Sequence, residues 1–568
     1  MCGIAAVSIE SGVSRSPSSI LHAINKRQYL LGLDGSSIAI SGSNGIGIVR
    51  FHIRTEQPEI EPILLDSQRI AAYNGEIYWH KGEVPSREKG EILALVSQGS
   101  EQVDGMYALA VLNRDDSTIT LARDKFGIKP LWYRILDDAV IAASHPGALV
   151  GIKNVSLRYE AIYQFLTYGR PIDGQGFLNG ILPVPPRSSL TFSNGRILTK
   201  ITSTNSLCCP YPYQPKPEEL REAVRESLEK VLPLQRNIGL AVSGGLDSTI
   251  LAHEIAARGI ENLRTVSVKV IGGKDGIENL DQLNIKHPVV QGWSHNCLTV
   301  TPKMFAEAIR RVPFELGVPC ALSSAPLYIS LAEVAKEVGI EVLVLGEGAD
   351  ELFMGYTSYS QINTTDSNSF YRFMVPAVKE PYLRALIGTE NLKDMQDLLE
   401  VIYPTFKNMS LLQRIREAEI DHSLEPLLQR ADQILMARSI EGRVPFLHGD
   451  VPNIAFSISP EEHIKNGIGK SFLRSAFPEL DIKKSPWQTK YPFRAPINDW
   501  LCGPLRNWAD ELLRLNSQKL QEMGLHLDGI NLVRRGLAKR ESAAATIAMS
   551  LLSLVFWSEY LEYEGRFS

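Results

Sequence analysis

Cysteine is scarce in this chain, and neither sign of charge predominates. The six cysteines among the 568 residues are Cys2, Cys208, Cys209, Cys297, Cys320 and Cys502, and none of them forms a Cys-x-x-Cys pair. Such sparse thiols are typical of a reducing compartment rather than of a disulfide scaffold. We therefore expect free thiols and a cytoplasmic protein.

The charge balance argues against a protein built mainly around nucleic acid. Lys and Arg number 59 against 64 Asp and Glu, which gives a net charge of -5, whereas nucleic-acid-binding domains are usually basic. Glycine (43) and proline (32) are too few for a low-complexity or collagen-like chain. A chain of this length, with its ordinary composition, predicts a soluble protein of two to four domains.

Long apolar runs are also few. The opening Met1-Cys2-Gly3-Ile4 lacks the basic and apolar regions of a secretory signal. The most apolar segment, Ser542 to Trp557, is shorter than the roughly 20 residues of a membrane-spanning helix and carries Ser and Thr. We expect a buried core helix there and no membrane partner.

The first 200 residues have the pattern of short strands and turns. Apolar or β-branched runs with polar or glycine punctuation occupy 3–9, 38–40, 46–51, 70–72, 107–112 and 118–122. A largely antiparallel first domain is predicted for residues 1–202. The proline-rich stretch 203–217 follows, with Pro210, Pro212, Pro215 and Pro217, and is typical of a linker.

Beyond the linker, residues 218–568 alternate between helical and strand patterns. Leu220, Val224, Leu228 and Val231 make one apolar helix face, and the apolar run 238–242 follows directly. Residues 263–270 and 342–345 are further candidates for buried strands, and the last 200 residues have mostly helical patterns. This alternation predicts a parallel sheet with helices on both sides.

The sharpest local motif is Ser243-Gly244-Gly245-Leu246-Asp247-Ser248, directly after a predicted strand. Two glycines let the backbone turn tightly and approach an anion, and a helix beginning near Asp247 would offer free N–H groups to it. A plain strand-to-helix turn would also use glycine. The serine hydroxyls and the strand before the loop favour phosphate binding.

A second cluster, Gly346-Glu347-Gly348-Ala349-Asp350-Glu351, follows the strand pattern at 342–345. Carboxylates at the carboxyl end of a strand beside a phosphate loop are well placed for Mg²⁺. A solvated acidic turn is the alternative. By contrast, Gly469-Lys470-Ser471 ends like a P-loop, but Ile464 stands where that motif needs glycine. We do not interpret it as one.

Cys2 becomes the first residue if Met1 is removed. An α-amine beside a thiol can serve as the general base of an N-terminal nucleophile. Downstream, the Asn74 amide and the Gly75 backbone N–H are candidates for an oxyanion hole, and Arg50 for a clamp on a substrate carboxylate.

With these motifs in hand, the chain resembles the glutamine-dependent asparagine synthetases of class B over nearly its full length. The segments that carry the resemblance are Met1-Cys2-Gly3-Ile4, Tyr73-Asn74-Gly75-Glu76-Ile77-Tyr78, 123–131 (RDKFGIKPL), 243–248, 346–351 with Gly355-Tyr356, and 441–447 (EGRVPFL).

For residues 1–202 the resemblance implies a glutaminase of the Ntn-hydrolase type, an αββα sandwich. Cys2 would attack the side-chain amide of glutamine with its own amine as base. Arg50 would hold the glutamine α-carboxylate, and Asn74 and Gly75 the oxyanion. Glu76 would help anchor the glutamine backbone, and Glu88 loosely matches the residue that binds the glutamine amino group.

For residues 218–568 the resemblance implies an ATP-pyrophosphatase fold with a helical extension, in which ATP activates a carboxylate as an acyl-adenylate. Asp247 and Asp350 would hold Mg²⁺, Glu347 would act at the adenylate and ammonia-attack steps, and Lys470 would neutralise the leaving phosphate. The pyrophosphate loop would be Ser243, Gly244, Gly245 and Ser248, and the nucleoside contacts would be Ala241, Val268, Leu345 and Gly346. Ammonia would cross between the two sites through an internal tunnel.

Some residues depart from the family pattern. Leu31-Gly32-Leu33-Asp34 stands where an Arg-Gly-Pro-Asp/Glu segment is usual, and His448 stands where Asp is usual. The expected aspartate-binding stretch is Val318 to Ser324, where Leu322 cannot pair with a carboxylate. The acceptor is therefore open between aspartate and another carboxylic acid, and the donor between glutamine and a modified glutamine.

Two further alternatives accompany this interpretation. An ATP-dependent cyclase, such as a β-lactam synthetase, usually lacks the N-terminal cysteine that this chain has. A non-catalytic regulatory protein would be free to lose Cys2, Asp247, Glu347 and Lys470, which are all present. The expected partners are small-molecule substrates, and a homodimer is consistent with the resemblance.

Overall fold

A computed structural model describes most of the chain. The described residues are 2–51, 61–80, 88–98, 103–202, 214–232, 236–272, 278, 280–283, 285, 287–362, 369–404, 409–480 and 493–564. The predicted linker falls mainly on residues 203–213, which lie outside this set, so its boundaries stay a prediction.

The first 202 residues form twelve described strands and four described helices. The strands are β1 (Cys2–Ile9), β2 (Gly35–Ser41), β3 (Asn44–Arg50), β4 (Ile63–Leu64), β5 (Arg69–His80), β6 (Val103–Asn113), β7 (Thr118–Arg123), β8 (Trp132–Ile135), β9 (Ala139–Ala143), β10 (Ile181–Pro183), β11 (Ser188–Ser193) and β12 (Arg196–Thr202). The helices are α1 (Pro17–Arg27), α2 (Glu88–Gln98), α3 (Pro146–Val150) and α4 (Tyr159–Tyr168).

These strands make two antiparallel sheets that face each other. One sheet has the order β10-β8-β9-β1-β3-β2 and the other the order β12-β11-β7-β6-β5-β4. Buried side chains such as Ile4, Ile48, Ala110 and Leu190 fill the space between them. Helices α1 and α3 contact the first sheet, and α2 contacts the second. The predicted αββα sandwich is confirmed, because alternate residues of β1 serve the inter-sheet core and the helix layer.

The remaining residues form five strands and seventeen helices within the described part of the chain. The strands are β13 (Ile238–Ala241), β14 (Arg264–Val270), β15 (Ser294–Val300), β16 (Val342–Val344) and β17 (Glu441–Arg443). The helices are α5 (Pro217–Val231), α6 (Leu246–Ala257), α7 (Pro302–Leu316), α8 (Ala325–Glu337), α9 (Ala349–Leu352), α10 (Ser369–Met374), α11 (Glu380–Ile387), α12 (Thr389–Ile402), α13 (Leu411–Ala418), α14 (Leu424–Met436), α15 (Val451–Ser457), α16 (Ser471–Ala476), α17 (Ile497–Leu501), α18 (Arg506–Leu515), α19 (Ser517–Glu522), α20 (Leu527–Ala538) and α21 (Ser542–Tyr563).

The five strands make the predicted parallel sheet, in the order β15-β14-β13-β16-β17. Helix α6 packs against β13, α8 against β14 and β15, and α14 against β17. The adjacent strands β13 and β16 end at the two motifs that the sequence analysis singled out. Because parallel neighbours end at the same edge, these loops lie side by side.

The helical extension surrounds α21, which contains the most apolar segment of the sequence. This helix is long and apolar enough to cross a bilayer, but 89% of its most apolar 18-residue stretch is buried in the protein. It contacts α7, α17, α18 and α20. The prediction of a buried core helix is confirmed.

The two halves of the chain meet through buried ion pairs. The ammonium of Lys129 lies 2.8 Å from Asp432 and 2.9 Å from Glu441. The guanidinium of Arg443, on edge strand β17, donates to Glu76 at 2.7 Å and to the Tyr78 hydroxyl at 2.8 Å. Buried charges are retained only when they are paired, so these contacts hold the halves in one relative position.

Replacing Arg443 with alanine is expected to destabilise the protein strongly. The change leaves the buried Glu76 carboxylate without its guanidinium, and breaking such a pair costs about 3–5 kcal/mol of unfolding free energy. Arg514→Ala, which breaks the exposed pair with Glu511, is the control and should cost less than about 1 kcal/mol. Thermal denaturation measures both, and equal shifts in the melting temperature would contradict a structural role for the Arg443–Glu76 pair.

Candidate functional site

Cys2 begins the central strand of the first sheet, and its neighbour across the ladder is Arg50 of β3. Both side chains are buried. The Arg50 Nη1 atom lies 3.7 Å from the Cys2 Sγ atom. A guanidinium in this position presents hydrogen-bond donors to a substrate carboxylate.

Asn74, in the second sheet, reaches across to the same place. The backbone N–H of Cys2 donates to Asn74 Oδ1 at 3.1 Å. This contact orients the Asn74 amide, so that its NH₂ group remains as the donor for an oxyanion. Gly75 has φ +147°, and a Cβ there would lie 2.0 Å from the carbonyl oxygen of Met106. Only glycine fits that position, because β5 and β6 approach so closely.

Two other residues assigned to glutamine binding are placed differently. The Glu76 carboxylate is bound by Arg443 from the other half of the chain. Glu88 begins α2, and its side chain lies outside the described part of the structure. The glutamine-binding roles of both residues stay predictions.

The loop between β13 and α6 has the compact geometry that the two glycines predict. Gly244 adopts φ +81°, and the Gly245 N–H donates to Ser243 Oγ at 3.2 Å. The Ser243 N–H in turn donates to Ser248 Oγ at 3.3 Å. Both serine hydroxyls therefore lie beside the first turn of α6, where helix N–H groups attract an anion.

Three charged groups meet at the edge of this loop. Lys470 Nζ lies 2.6 and 2.7 Å from the two carboxylate oxygens of Asp247 and 2.6 Å from Asp350 Oδ1. Gly355 permits this approach, since a Cβ there would lie 2.0 Å from Asp350 Oδ1. Two converging carboxylates are the kind of protein ligand that Mg²⁺ uses together with substrate phosphates. Asp247 and Asp350 thus fit a metal-nucleotide site, and Lys470 reaches it despite not belonging to a P-loop.

A cavity of about 280 Å³ opens beside these groups, and most of the predicted nucleotide residues line it. They are Ala241, Ser243, Asp247, Ser248, Val268, Leu345, Gly346, Glu347 and Asp350. The cavity walls thus combine apolar residues near the strand ends with serine hydroxyls and carboxylates. This composition suits a nucleotide. Lys470 is buried behind the two aspartates.

Glu347 is held by two residues that the sequence analysis missed. Its Oε1 atom accepts a hydrogen bond from the Tyr328 hydroxyl and another, at 2.5 Å, from Arg430 Nη2. The Arg430 guanidinium also stacks on the Tyr328 ring, 3.9 Å from the centroid, and donates to Ser324 Oγ. Burial, and then the Glu347 carboxylate, raise the pKa of the Tyr328 phenol, which therefore stays a donor.

Tyr328 and Arg430 lie on α8 and α14, which are far apart in the sequence. Each residue occupies an ordinary helical position, and no local motif marks it. Arg430, an arginine among apolar residues of α14, was the available sequence signal. A buried guanidinium needs a carboxylate partner, so this position could have suggested a buried ion pair.

The stretch expected to bind the acceptor contributes Leu322, Ser323 and Ser324 to the same cavity. Arg443, an alternative source of positive charge, does not reach it, since its guanidinium is bound by Glu76 and Tyr78. The arginines of the cavity wall are Arg430 and Arg494.

His448, the departure after Val-Pro-Phe-Leu, has a structural setting. Its Nδ1 atom lies 3.2 Å from Asp104 of the N-terminal half, and its ring packs edge-on against Tyr78 at 4.6 Å between centroids. His448 therefore joins the two halves of the chain at this point.

Sequence comparison finds glutamine-hydrolyzing asparagine synthetases as relatives. The chain is 25% identical to asparagine synthetase [glutamine-hydrolyzing] 1 of Bacillus subtilis over 461 residues, which cover 73% of this chain and 72% of that protein. It is 25% identical to the enzyme of the same name from Triphysaria versicolor over 542 residues, 90% and 79% of the two chains. The human enzyme is also 25% identical, over 75% and 73%.

Comparison with solved structures finds the B. subtilis glutamine phosphoribosylpyrophosphate amidotransferase, at 14% identity and a TM-score of 0.26, over 48% of this chain and 76% of that one. A sequence model described as "Glutamine amidotransferase domain" matches residues 1–201. A second, described as "Asparagine synthase", matches residues 219–558, more than half of the chain. With its antiparallel sandwich, its five-stranded parallel sheet and this match over more than half of its length, the chain belongs to the asparagine synthase family.

Proposed function

We propose that this protein is an ATP-dependent carbon–nitrogen ligase that takes nitrogen from glutamine and converts a carboxylic acid into its amide. One observation carries the proposal: the phosphate loop, both aspartates, Glu347 and the acceptor stretch line a single cavity. The relatives' names support glutamine as the donor, and the geometry around Cys2 is consistent with it.

In the glutaminase half, the Cys2 sulfur attacks the side-chain amide carbon of glutamine while the α-amine, freed by removal of Met1, accepts the thiol proton. The Asn74 NH₂ group and the Gly75 N–H stabilise the oxyanion that forms. Collapse expels ammonia and leaves a thioester on Cys2. Water then hydrolyses the thioester to glutamate.

In the synthetase half, the acceptor carboxylate attacks the α-phosphorus of ATP and pyrophosphate leaves, which produces an acyl-adenylate. Ser243, Gly244, Gly245 and Ser248 cradle the leaving pyrophosphate. A Mg²⁺ ion held by Asp247 and Asp350 would offset the phosphate charge when bound. The neighbouring ammonium of Lys470 stabilises the charge that develops on the leaving group.

Ammonia then attacks the acyl carbon and displaces AMP. Glu347 is placed to accept a proton from the attacking nitrogen, and Tyr328 and Arg430 hold its carboxylate in position. Ammonia must cross between the halves to reach it. Leu31, Val49 and Met436 form a small buried apolar cluster where the halves meet, and we propose that ammonia crosses beside it.

Aspartate is the acceptor that the relatives' names suggest, but the cavity favours a more apolar acid. Aspartate brings a second carboxylate and an ammonium, which must be paired when buried. Leu322 offers neither charge, and Arg430 is already bound to Glu347 and Ser324. Arg494, which is exposed, is the remaining arginine of the cavity wall. We infer that aspartate is the poorer acceptor.

The test follows nitrogen and phosphate together. Purified protein is incubated with ATP, Mg²⁺, amide-¹⁵N glutamine and a panel of acids that includes aspartate. At least one acid should give pyrophosphate, glutamate and a ¹⁵N-amide in equal amounts. Failure of every acid to stimulate pyrophosphate release, with ammonium as well as with glutamine, would refute the ligase. A kcat/KM for aspartate a hundredfold above all others would make aspartate the acceptor.

A further inference from the structure

A second cavity lies next to the nucleotide cavity and has no role in the chemistry above. Its volume is about 400 Å³, within the range of small-molecule sites. Leu322, Tyr356 and Leu427 line both cavities, so the two spaces share a wall. We call the second one the side chamber.

Both halves of the chain build the side chamber, and its walls are mainly apolar. Trp132, Phe165 and Phe177 come from the N-terminal half, whereas Val318 and Ile547 come from the C-terminal half. Phe165 and Phe177 are buried and contact each other edge-on at 5.6 Å between centroids. Such walls suit an aliphatic or aromatic group rather than a charged one.

The walls of the side chamber also carry several ionisable groups. Arg170 pairs with Glu425 at 2.6 Å. Glu419 accepts a hydrogen bond from the Tyr359 hydroxyl at 3.1 Å, and burial raises its pKa to about 7. Lys379 also lines the chamber, and burial lowers its pKa. The side chamber thus combines its apolar walls with a few hydrogen-bonding groups.

The backbone beside the chamber is irregular. Residues 419–423, Glu419 to Ser423, form a π-helical turn between α13 and α14. This turn brings Glu419, His422 and Ser423 to the chamber wall. A π-turn inserted between α-helices is less stable than regular helix and is frequent at functional sites. It is an observation independent of the cavity itself.

The side chamber is separate from the boundary that ammonia would cross. Leu427 and Gln429, near the start of α14, line the chamber. Met436, at the last residue of the same helix, packs against Leu31 and Val49 next to the Arg50 strand. The two places are therefore about two turns of helix apart, roughly 10–14 Å.

We propose that the side chamber holds the body of the acceptor, a carboxylic acid whose aliphatic or aromatic portion extends past Leu322 and Leu427 while its carboxylate lies beside Glu347 and the phosphate loop. This assignment rests on the proposed ligase function and adds the substrate class. A short polar acid such as aspartate leaves the chamber unfilled and gains none of its apolar contacts.

The first experiment uses ω-phenylalkanoates of increasing chain length, from phenylacetate to 6-phenylhexanoate, with ammonium as the nitrogen source. Each methylene transferred from water into the chamber should raise kcat/KM for pyrophosphate release by roughly fourfold until the chamber is full. A flat series, or one that falls from phenylacetate onward, overturns the proposal without any variant having to fold.

The second experiment narrows the chamber from a side that does not touch the nucleotide cavity. Thr546 of α21 lines the chamber and is partly buried. Thr546→Phe should weaken binding of 4-phenylbutanoate, measured by titration calorimetry, at least tenfold. The matched control is Ser542→Phe, one turn earlier on the exposed start of the same helix, which should leave the affinity unchanged. Equal affinities in the two variants overturn the proposal.

Calorimetry also separates this inference from the ligase function. Binding of 4-phenylbutanoate that Thr546→Phe weakens, without acid-dependent pyrophosphate release, would support the chamber and refute the ligase. Acid-dependent pyrophosphate release with aspartate alone, without binding of any phenylalkanoate, would support the ligase and refute the chamber.

Discussion

Replacing Cys2 with alanine should abolish glutamine hydrolysis and leave amide formation from added ammonium intact. The sulfur is the only group on this residue that can form the acyl intermediate, and removing a covalent nucleophile costs on the order of 10⁴- to 10⁶-fold in turnover. The synthetase cavity is built from other elements, chiefly β13, β14, α6, α8, α14 and the loop after β16, so its chemistry should proceed.

The control for this substitution is Cys297→Ser. Cys297 is a partly buried free thiol on β15, outside both candidate sites. It should leave glutamate release and ammonium-dependent amide formation unchanged. Glutamate and amide are measured separately, with glutamine or with ammonium as the nitrogen source. Loss of both activities in a folded Cys2→Ala protein would contradict the division of labour between the halves.

Replacing Lys470 with alanine, or Asp247 with asparagine, should reduce acid-dependent pyrophosphate release by about 100- to 1000-fold. Both groups are preorganised: the ammonium lies 2.6–2.7 Å from the Asp247 carboxylate, beside the phosphate loop. A charge fixed before the reaction stabilises the developing phosphate charge without reorganisation, and this advantage is lost with either group.

Lys470→Ala also leaves Asp247 and Asp350 facing each other without a cation, so each variant needs a measured melting temperature alongside its rate. Lys465→Ala, an exposed lysine in the same loop, is the matched control and should retain full activity. Glutaminase activity should survive in all three variants. Pyrophosphate release within threefold of the unaltered protein, in either site variant, would contradict the assigned roles.

The local sequence pattern predicted many of the strands correctly. All six strand predictions in the first 200 residues fall on observed strands, because β-branched runs with regular punctuation can bury a face in only one way. The strands β4, β8 to β12 and β15 escaped prediction. So did β17, whose sequence Glu441-Gly442-Arg443 has no strand propensity and pairs with β16 only because the sheet edge is there.

The buried ion pairs between the two halves, by contrast, could not be predicted from local sequence. The family resemblance implied a glutamine-binding role for Glu76, and the structure adds that its carboxylate pairs with Arg443, 367 residues away. Lys129 likewise pairs with Asp432 and Glu441. Partners so distant in the chain leave no local pattern, because the requirement for pairing arises only when both halves bury the charge.

The sequence by itself determined the parts of the site that are local. Ser243 to Ser248 specify a tight turn into the N-terminus of α6, because glycine conformation and helix N–H groups depend on neighbours in the chain. The thiol and the α-amine of Cys2 likewise belong to one residue, so their proximity needs no tertiary contact.

Only the tertiary structure decided what surrounds those parts: the Tyr328–Glu347–Arg430 cluster, the side chamber shared by both halves, and the removal of Arg443 from the acceptor site. The physical reason is that cavity shape and charge pairing depend on which distant side chains are desolvated together, and that is a property of the packed whole.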